Sequence, residues 1–292
     1  MTGAAAINPV VVIPVYQANL NAYEQISLRR AFAILADHPI CLLVPRSRQN
    51  AIRLMLQKLL PLEANCGWQV VDDHCLDSHR SYNQMMLEPA FYRHYASHSH
   101  LLICQLDAYV FEDQLLHWCH QPFDYIGAPL YLPNATHGPA GLFCVGVGGF
   151  SLRRIQPILA LLQANPIVFR SRELREILQP FNNKARALYL IRYLFCRLIN
   201  GCRLAAPGNQ LSRWVGVNED AVFAKYLPRY HSSFRLPDAS AALEFCIDKH
   251  VELELAALGG AIPFAAHAWW TCPENLAAWR PFITELQTSE AI

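Results

Sequence analysis

Apolar and polar positions along the chain follow two rhythms. Val10-Val11-Val12-Ile13 is a continuous apolar run that stops at Pro14. Pro39-Ile40-Cys41-Leu42-Leu43-Val44-Pro45 is a second run, held between two prolines, and Trp68-Gln69-Val70-Val71 is a third. Runs of this length without polar alternation predict strands buried on both faces. Between them the spacing becomes helical: Leu28, Ala31, Phe32 and Leu35 share a face within Ser27 to Asp37. Ala51 to Leu60 predicts a second helix, stopped by Pro61, and Tyr82 to Tyr95 a third. Strands alternating with helices predict a parallel sheet covered on both sides.

The most informative run is Leu101-Leu102-Ile103-Cys104-Gln105-Leu106-Asp107-Ala108-Tyr109-Val110-Phe111. It is an apolar strand that delivers a single carboxylate near its end. In open α/β sheets, ligands bind beyond the carboxyl ends of the strands. A buried, unpaired carboxylate is unfavourable, so Asp107 needs a reason. A divalent cation shared with substrate phosphates is one such reason. An N-cap for the helix expected over Glu112 to Trp118 is the other.

The second half is less regular. Phe123 to Pro129 predicts another strand, and Asn134 to Leu142, rich in Gly and Pro, a loop. Val145 to Arg153 follows, then a basic helical stretch from Arg172 to Arg203. Val217 to Phe223 opens another helix, and Ile262 to Trp270 lies near the end. No internal repeat or low-complexity linker interrupts the chain, so one domain over 1–292 is expected, with a helical insertion at about 170–213.

Composition narrows the function classes. The 292 residues are 53% hydrophobic and 16% charged, with a net charge of +1, which suits a compact enzyme-like globule. That balance leaves no basic excess to neutralise a phosphate backbone, so nucleic acid is not an expected partner. The ten cysteines include no Cys-x-x-Cys pair. Cys41, Cys104 and Cys144 lie inside apolar runs, which argues for a reducing compartment and against a disulfide framework or structural zinc. Met1 to Pro14 lacks the basic start of a signal peptide, and no apolar stretch is long enough to span a bilayer. A cytoplasmic location is the expectation.

Several further residues are candidates for chemistry. Glu219-Asp220 is an acidic pair at a predicted helix start, suited either to the helix dipole or to a general base. Gly146, Gly148 and Gly149 allow either close backbone approach to a ligand or a simple bend, without forming a Gly-x-Gly-x-x-Gly fingerprint. His267 becomes interesting as a partner of Asp107, and Trp269 and Trp270 either stack on a sugar or belong to the core. Arg80, in Asp77-Ser78-His79-Arg80-Ser81-Tyr82-Asn83, is suited to phosphate, while Ser78 or Ser81 suits a cap. No Gly-x-Ser-x-Gly elbow accompanies these residues. Ala187, Leu190, Ile191, Leu194, Phe195 and Leu198 make an apolar stripe flanked by Arg186, Arg192, Arg197 and Arg203. Such a stripe is expected to pack on the core, and the 184–203 helix touching an anionic membrane is its alternative use.

Taken in order, these pieces resemble a glycosyltransferase of the GT-A type. More closely, they resemble DUF5672, a family of GT-A-like proteins. The resemblance is carried by Val11-Val12-Ile13-Pro14-Val15-Tyr16, Leu76 to Leu87, Gln105 to Phe111, Tyr125-Ile126-Gly127-Ala128-Pro129, Gly146 to Arg153, Asn218-Glu219-Asp220 and Pro263 to Trp269. It implies an α/β fold with a central, mostly parallel sheet flanked by helices. It places Pro14, Val15 and Tyr16 near a nucleotide, and Gln105-Leu106-Asp107 where an Asp-x-Asp motif would stand. Asp107 and His267 would ligate Mn²⁺ or Mg²⁺. Asp220, with Glu219 beside it, would be the base of an inverting transfer. Arg80, Asn83, Gln105, Gly148, Gly149, Asn218 and Trp269 would bind substrate. Gln105 departs from the motif, because an amide lacks the charge that a carboxylate gives to a metal. The segment from about Arg170 to Arg213 matches least well.

The implied function is transfer of a sugar from a nucleotide-sugar donor to the hydroxyl of a glycan, lipid or protein acceptor. The alternatives are a non-catalytic sugar- or nucleotide-binding protein, or a metal-dependent phosphohydrolase. The location expected with it is the cytoplasm, with peripheral contact at the inner face of the membrane.

Overall fold

The computed structural model describes residues 6–61, 66–131, 142–164, 182–201 and 218–287. Its first half alternates strands and helices as the pattern predicts. Strand β1 (Pro9–Pro14) is followed by helix α1 (Ala22–Ile34), β2 (Ile40–Pro45), α2 (Gln49–Leu59) and β3 (Gly67–Val71). Next come α3 (His79–Met86), α4 (Pro89–His94), β4 (His100–Cys104), β5 (Tyr109–Val110) and α5 (Leu115–His120). The second half adds β6 (Tyr125–Gly127), β7 (Pro129–Tyr131), β8 (Leu142–Val145), β9 (Phe150–Arg154) and α6 (Ile155–Ala164).

The main sheet has six strands in the order β3-β2-β1-β4-β9-β6. The first four run parallel, and β9 is antiparallel to both β4 and β6. The sheet is therefore mostly parallel, as expected, with a reversal at its far side that the pattern does not predict. Successive side chains of a strand point to opposite faces. Val11 and Ile13 accordingly join one core with Leu28 of α1 and Leu56 of α2, while Val10 and Val12 join the other with Phe91 of α4 and Ile158 of α6. Both faces are covered, which is why these strands read as unbroken apolar runs.

Local signals set the element ends. The first helix starts earlier than its apolar spacing implies, because Asn21 and Glu24 close a reciprocal capping box ahead of it. The stretch Tyr82 to Tyr95 is two helices, since Pro89 opens α4 and cannot continue α3. Asp107 caps no helix: β5 begins two residues later, at Tyr109, and α5 starts only at Leu115. The expected loop at Asn134 to Leu142 lies, but for Leu142, outside the described residues. Of the expected insertion, the described part is residues 182–201, which hold the helix Asn183–Gly201.

A second, three-stranded sheet has the order β10-β11-β5, with β10 at Cys246–Ile247 and β11 at Ala265–Ala266. Each strand has only two residues. This small sheet positions the candidate site.

Candidate functional site

Register brings the site residues together. In the small sheet Ala266 pairs with Tyr109 antiparallel, so the residues after β11 turn back alongside Asp107. Ile247 pairs with Ala266 in parallel, which sets Asp248 beside His267. The His267 backbone N–H donates to the Ile247 carbonyl at 2.8 Å. In the main sheet Cys104 pairs with Phe150, and the Gln105 N–H donates to the Gly149 carbonyl, so the glycine turn lies against the same spot.

The result is a line of three side chains. His267 Nδ1 is 2.6 Å from Asp248 Oδ1, and His267 Nε2 faces Asp107 Oδ1 at 3.4 Å. The second distance is an ion-pair contact that is too long for a good hydrogen bond. Asp107 Oδ1 and His267 Nε2 are both buried and have no hydrogen-bond partner among the described residues. Burial lowers the His267 pKa, but Asp107 and Asp248 outweigh it and raise it to about 10. Burial likewise opposes the Asp107 carboxylate, yet His267, with His79 further off, holds its pKa below the usual value.

These residues fit the cation that the resemblance implies. Two buried atoms without a hydrogen bond, one carboxylate oxygen and one imidazole nitrogen, face each other at the site, and a cation bound there would displace the proton that the imidazole holds below pH about 10. The second imidazole nitrogen is held by a carboxylate, the arrangement that orients metal-ligating histidines. Among the described residues no group of three or more His, Cys, Asp and Glu could hold a metal. Two protein ligands do not make a closed structural site, so a cation held here would take most of its ligands from elsewhere.

A buried asparagine locks the geometry. Asn275 Nδ2 donates to the carbonyls of Asp248 and Ala268, each at 3.0 Å. Ala268 has φ +50°, a left-handed conformation that a residue with a Cβ adopts under strain, and it directly follows His267.

The glycine turn links this line to the acidic pair. A Cβ on Gly149 would lie 2.0 Å from His267 Nε2, and one on Gly148 would lie 2.6 Å from Glu219 Oε1. Only glycine fits both places. Glu219 is buried and makes a 2.7 Å ion pair with Arg153, which is itself fully buried in β9. Arg153 also donates to the Tyr92 hydroxyl and to Ser151 Oγ, each at 3.0 Å. Asp220 accepts from the Ala221 N–H at 2.6 Å and from the Gly148 N–H. Its burial, followed by the Glu219 charge, raises its pKa to about 7. Asp220 sits within a short helix, Glu219–Ala221, that passes at once into a π-helical turn, Val222–Tyr226. Such turns are frequent at functional sites.

A cavity of about 390 Å³ opens beyond the carboxyl ends of β1 and β4. Pro14, Tyr16, Gln105 and Asp107 line it, together with His79, Tyr82 and Trp270. The Tyr16 hydroxyl donates to Glu24 at 3.0 Å, and burial with that carboxylate raises its pKa to about 12. Trp270 stacks on Tyr23, with ring centroids 5.7 Å apart.

Several expected site residues do other work. Trp269 is fully buried and donates its indole N–H to Ser27 Oγ, so Trp270 is the tryptophan at the cavity. Val15 is core, and only its neighbours Pro14 and Tyr16 reach the cavity. Arg80 is exposed and does not line the cavity, whereas His79 does. Asn83 is buried and accepts the Glu219 N–H at 2.7 Å, so it positions the acidic pair. Asn218 is the exposed N-cap residue before Glu219 and makes no side-chain capping bond. Glu219 is held by Arg153, and neither it nor Asp220 lines the cavity; the glycine turn lies between them and Asp107. Ser78 is the cap of α3, accepting from the Ser81 N–H.

The sequence reading missed Asp248, Asn275 and Arg153 as site residues. Asp248 carried a signal: Phe245-Cys246-Ile247 is a short apolar run ending in a carboxylate, a small copy of the run before Asp107. No helix among the described residues is long and apolar enough to cross a membrane. A search of curated proteins finds no match to this chain. A family model described as "Protein of unknown function (DUF5672)" matches residues 65–267, a span that includes Asp107, Asp220, Asp248 and His267, and the chain belongs to that family.

Proposed function

We propose that the protein is a glycosyltransferase of GT-A type, moving a sugar from a nucleotide-sugar to an acceptor hydroxyl with inversion. The observation that carries this reading is the meeting of Asp107 and His267, whose facing Oδ1 and Nε2 hydrogen-bond to no group among the described residues, beside a cavity at the strand ends. The cavity suits a nucleotide: Tyr16 and Trp270 offer aromatic surface, and Gln105 and Tyr82 offer polar groups. Mn²⁺ or Mg²⁺ bound with the donor would neutralise the diphosphate as it leaves. Asp107 would supply a carboxylate oxygen to that cation, and His267 its Nε2 while Asp248 takes the Nδ1 proton.

Asp220 suits the base. A pKa of about 7 leaves a sizeable fraction deprotonated near neutrality and lets that carboxylate accept a proton in the transition state. It takes the proton of the acceptor hydroxyl. The acceptor oxygen forms a bond to the anomeric carbon, and the bond from that carbon to the diphosphate oxygen breaks. Glu219 does not touch the reacting atoms; its charge helps hold the Asp220 pKa up. Gln105 and the pair of protein ligands also favour a second reading, a protein that binds donor without turnover.

The test is a panel of nucleotide-sugars with Mn²⁺, reading release of nucleoside diphosphate with water or added sugars as acceptor. One donor should turn over, and Asp220→Asn and Asp107→Ala should both be slow. Donor binding without release across the panel favours the second reading. Full activity in Asp220→Asn removes Asp220 as the base.

A further inference from the structure

The helix Asn183–Gly201 stands apart among the described elements. Leu188, Leu190, Ile191, Leu194, Phe195 and Leu198 are all exposed on it, Ile191 at 64% and Leu198 at 65%. None of its side chains that are described is buried. The apolar stripe is thus not absorbed by the core, which was its expected use. At about 3.6 residues per turn, Ala187, Leu188, Leu190, Ile191, Leu194, Phe195 and Leu198 share one side. The sequence places Arg186 and Arg197 along one border of that side and Arg192 along the other. Lys184, in the first turn, falls on the apolar side itself; it and these three arginines are the charged residues of the helix, and none is acidic.

We propose that this helix docks flat on an anionic lipid surface. Its apolar side would enter the boundary between headgroups and acyl chains. The cationic sequence of the helix would be attracted to the lipid phosphates. Charge selects this occupant over a second copy of the chain. An isologous pairing would bring four cations against four, whereas anionic headgroups complement all of them. The helix is amphipathic and too polar to span a bilayer, so it lies on the surface. The proposal stands apart from the transferase reading, because it uses no residue of that site.

The experiment is vesicle flotation of the full chain. It uses vesicles of phosphatidylcholine alone and of phosphatidylcholine mixed with phosphatidylserine, at low and high salt. Wild type should bind the mixed vesicles at least about tenfold better, and high salt should weaken that binding. Ile191→Glu with Leu194→Glu should abolish binding while thermal unfolding stays unchanged. Arg186→Glu with Arg197→Glu should remove the preference for phosphatidylserine. Equal binding by wild type and the double glutamate variant overturns the proposal, as does absence of binding by wild type. A dimer by light scattering that the glutamate variant breaks, without vesicle binding, assigns the face to a second copy instead.

Discussion

At the scale of single residues, Asp220 is the most exposed to test. Its native pKa of about 7 stands above the ordinary value of 3.8. Between those values the folded protein holds a proton that the unfolded chain has lost, so stability falls as pH rises through that window. Asp220→Asn removes the buried charge. The variant's unfolding temperature should therefore rise relative to wild type more at pH 8 than at pH 4, while turnover drops about a hundredfold to ten-thousandfold. In wild type, kcat/KM should climb with pH through about 7. A flat pH profile, with a stability difference that ignores pH, would show that this carboxyl does not titrate near neutrality. Gly149 offers an independent probe. An Ala there places its Cβ 2.0 Å from His267 Nε2, so the ring must move. Gly149→Ala should weaken Mn²⁺ binding at least about tenfold, readable by calorimetry with the donor nucleotide present.

The elements show why some of this was legible and some was not. Asp107 announces itself because an apolar run with a carboxylate at its end is a local pattern. Its partners are not local. His267 and Asp248 arrive through strands of two residues each, too short to carry any periodicity. Arg153 is hidden for a different reason: within a strand, a cation reads as facing solvent until its buried acid is known. Here the acid is Glu219, 66 positions away in sequence. Removing one partner of a buried pair leaves an uncompensated charge, so Arg153→Met should lower unfolding free energy by about 3–5 kcal/mol in urea titration. Arg153→Met with Glu219→Leu should recover most of that loss. If the double variant is no better than the single, the charge of Glu219 is not what the arginine offsets. In the small sheet, Asp248→Ala should weaken metal binding by about tenfold to a hundredfold, because the imidazole loses the group that fixes its orientation.

At the scale of the whole molecule, the site is a product of the complete fold. Its residues come from the ends of β1 and β4, the start of α3, the glycine turn before β9, the π-turned helix and the two short strands near the end of the chain. The unfolded chain cannot assemble this set, so a ligand of the site binds the native state alone and raises stability by mass action. At a hundred times its dissociation constant, a nucleotide contributes about 2.7 kcal/mol. In a chain of this size that is an unfolding shift of about 5 °C. The proposed pair of protein ligands adds a stronger expectation. On that proposal Asp107 and His267 would leave most of a cation's coordination to phosphate and water, so cation and nucleotide should each bind weakly alone and tightly together. Coupling of that kind is reciprocal: Mn²⁺ must tighten the nucleotide by the same factor that the nucleotide tightens Mn²⁺. Thermal-shift titrations in both orders measure the two factors. They should agree, and Asp107→Ala should reduce both to unity while the shift from nucleotide alone survives. A full shift from Mn²⁺ alone would mean a resident metal site with ligands beyond these two. A full shift from nucleotide alone, unchanged by Mn²⁺, would mean that Gln105 marks a donor site that works without a metal.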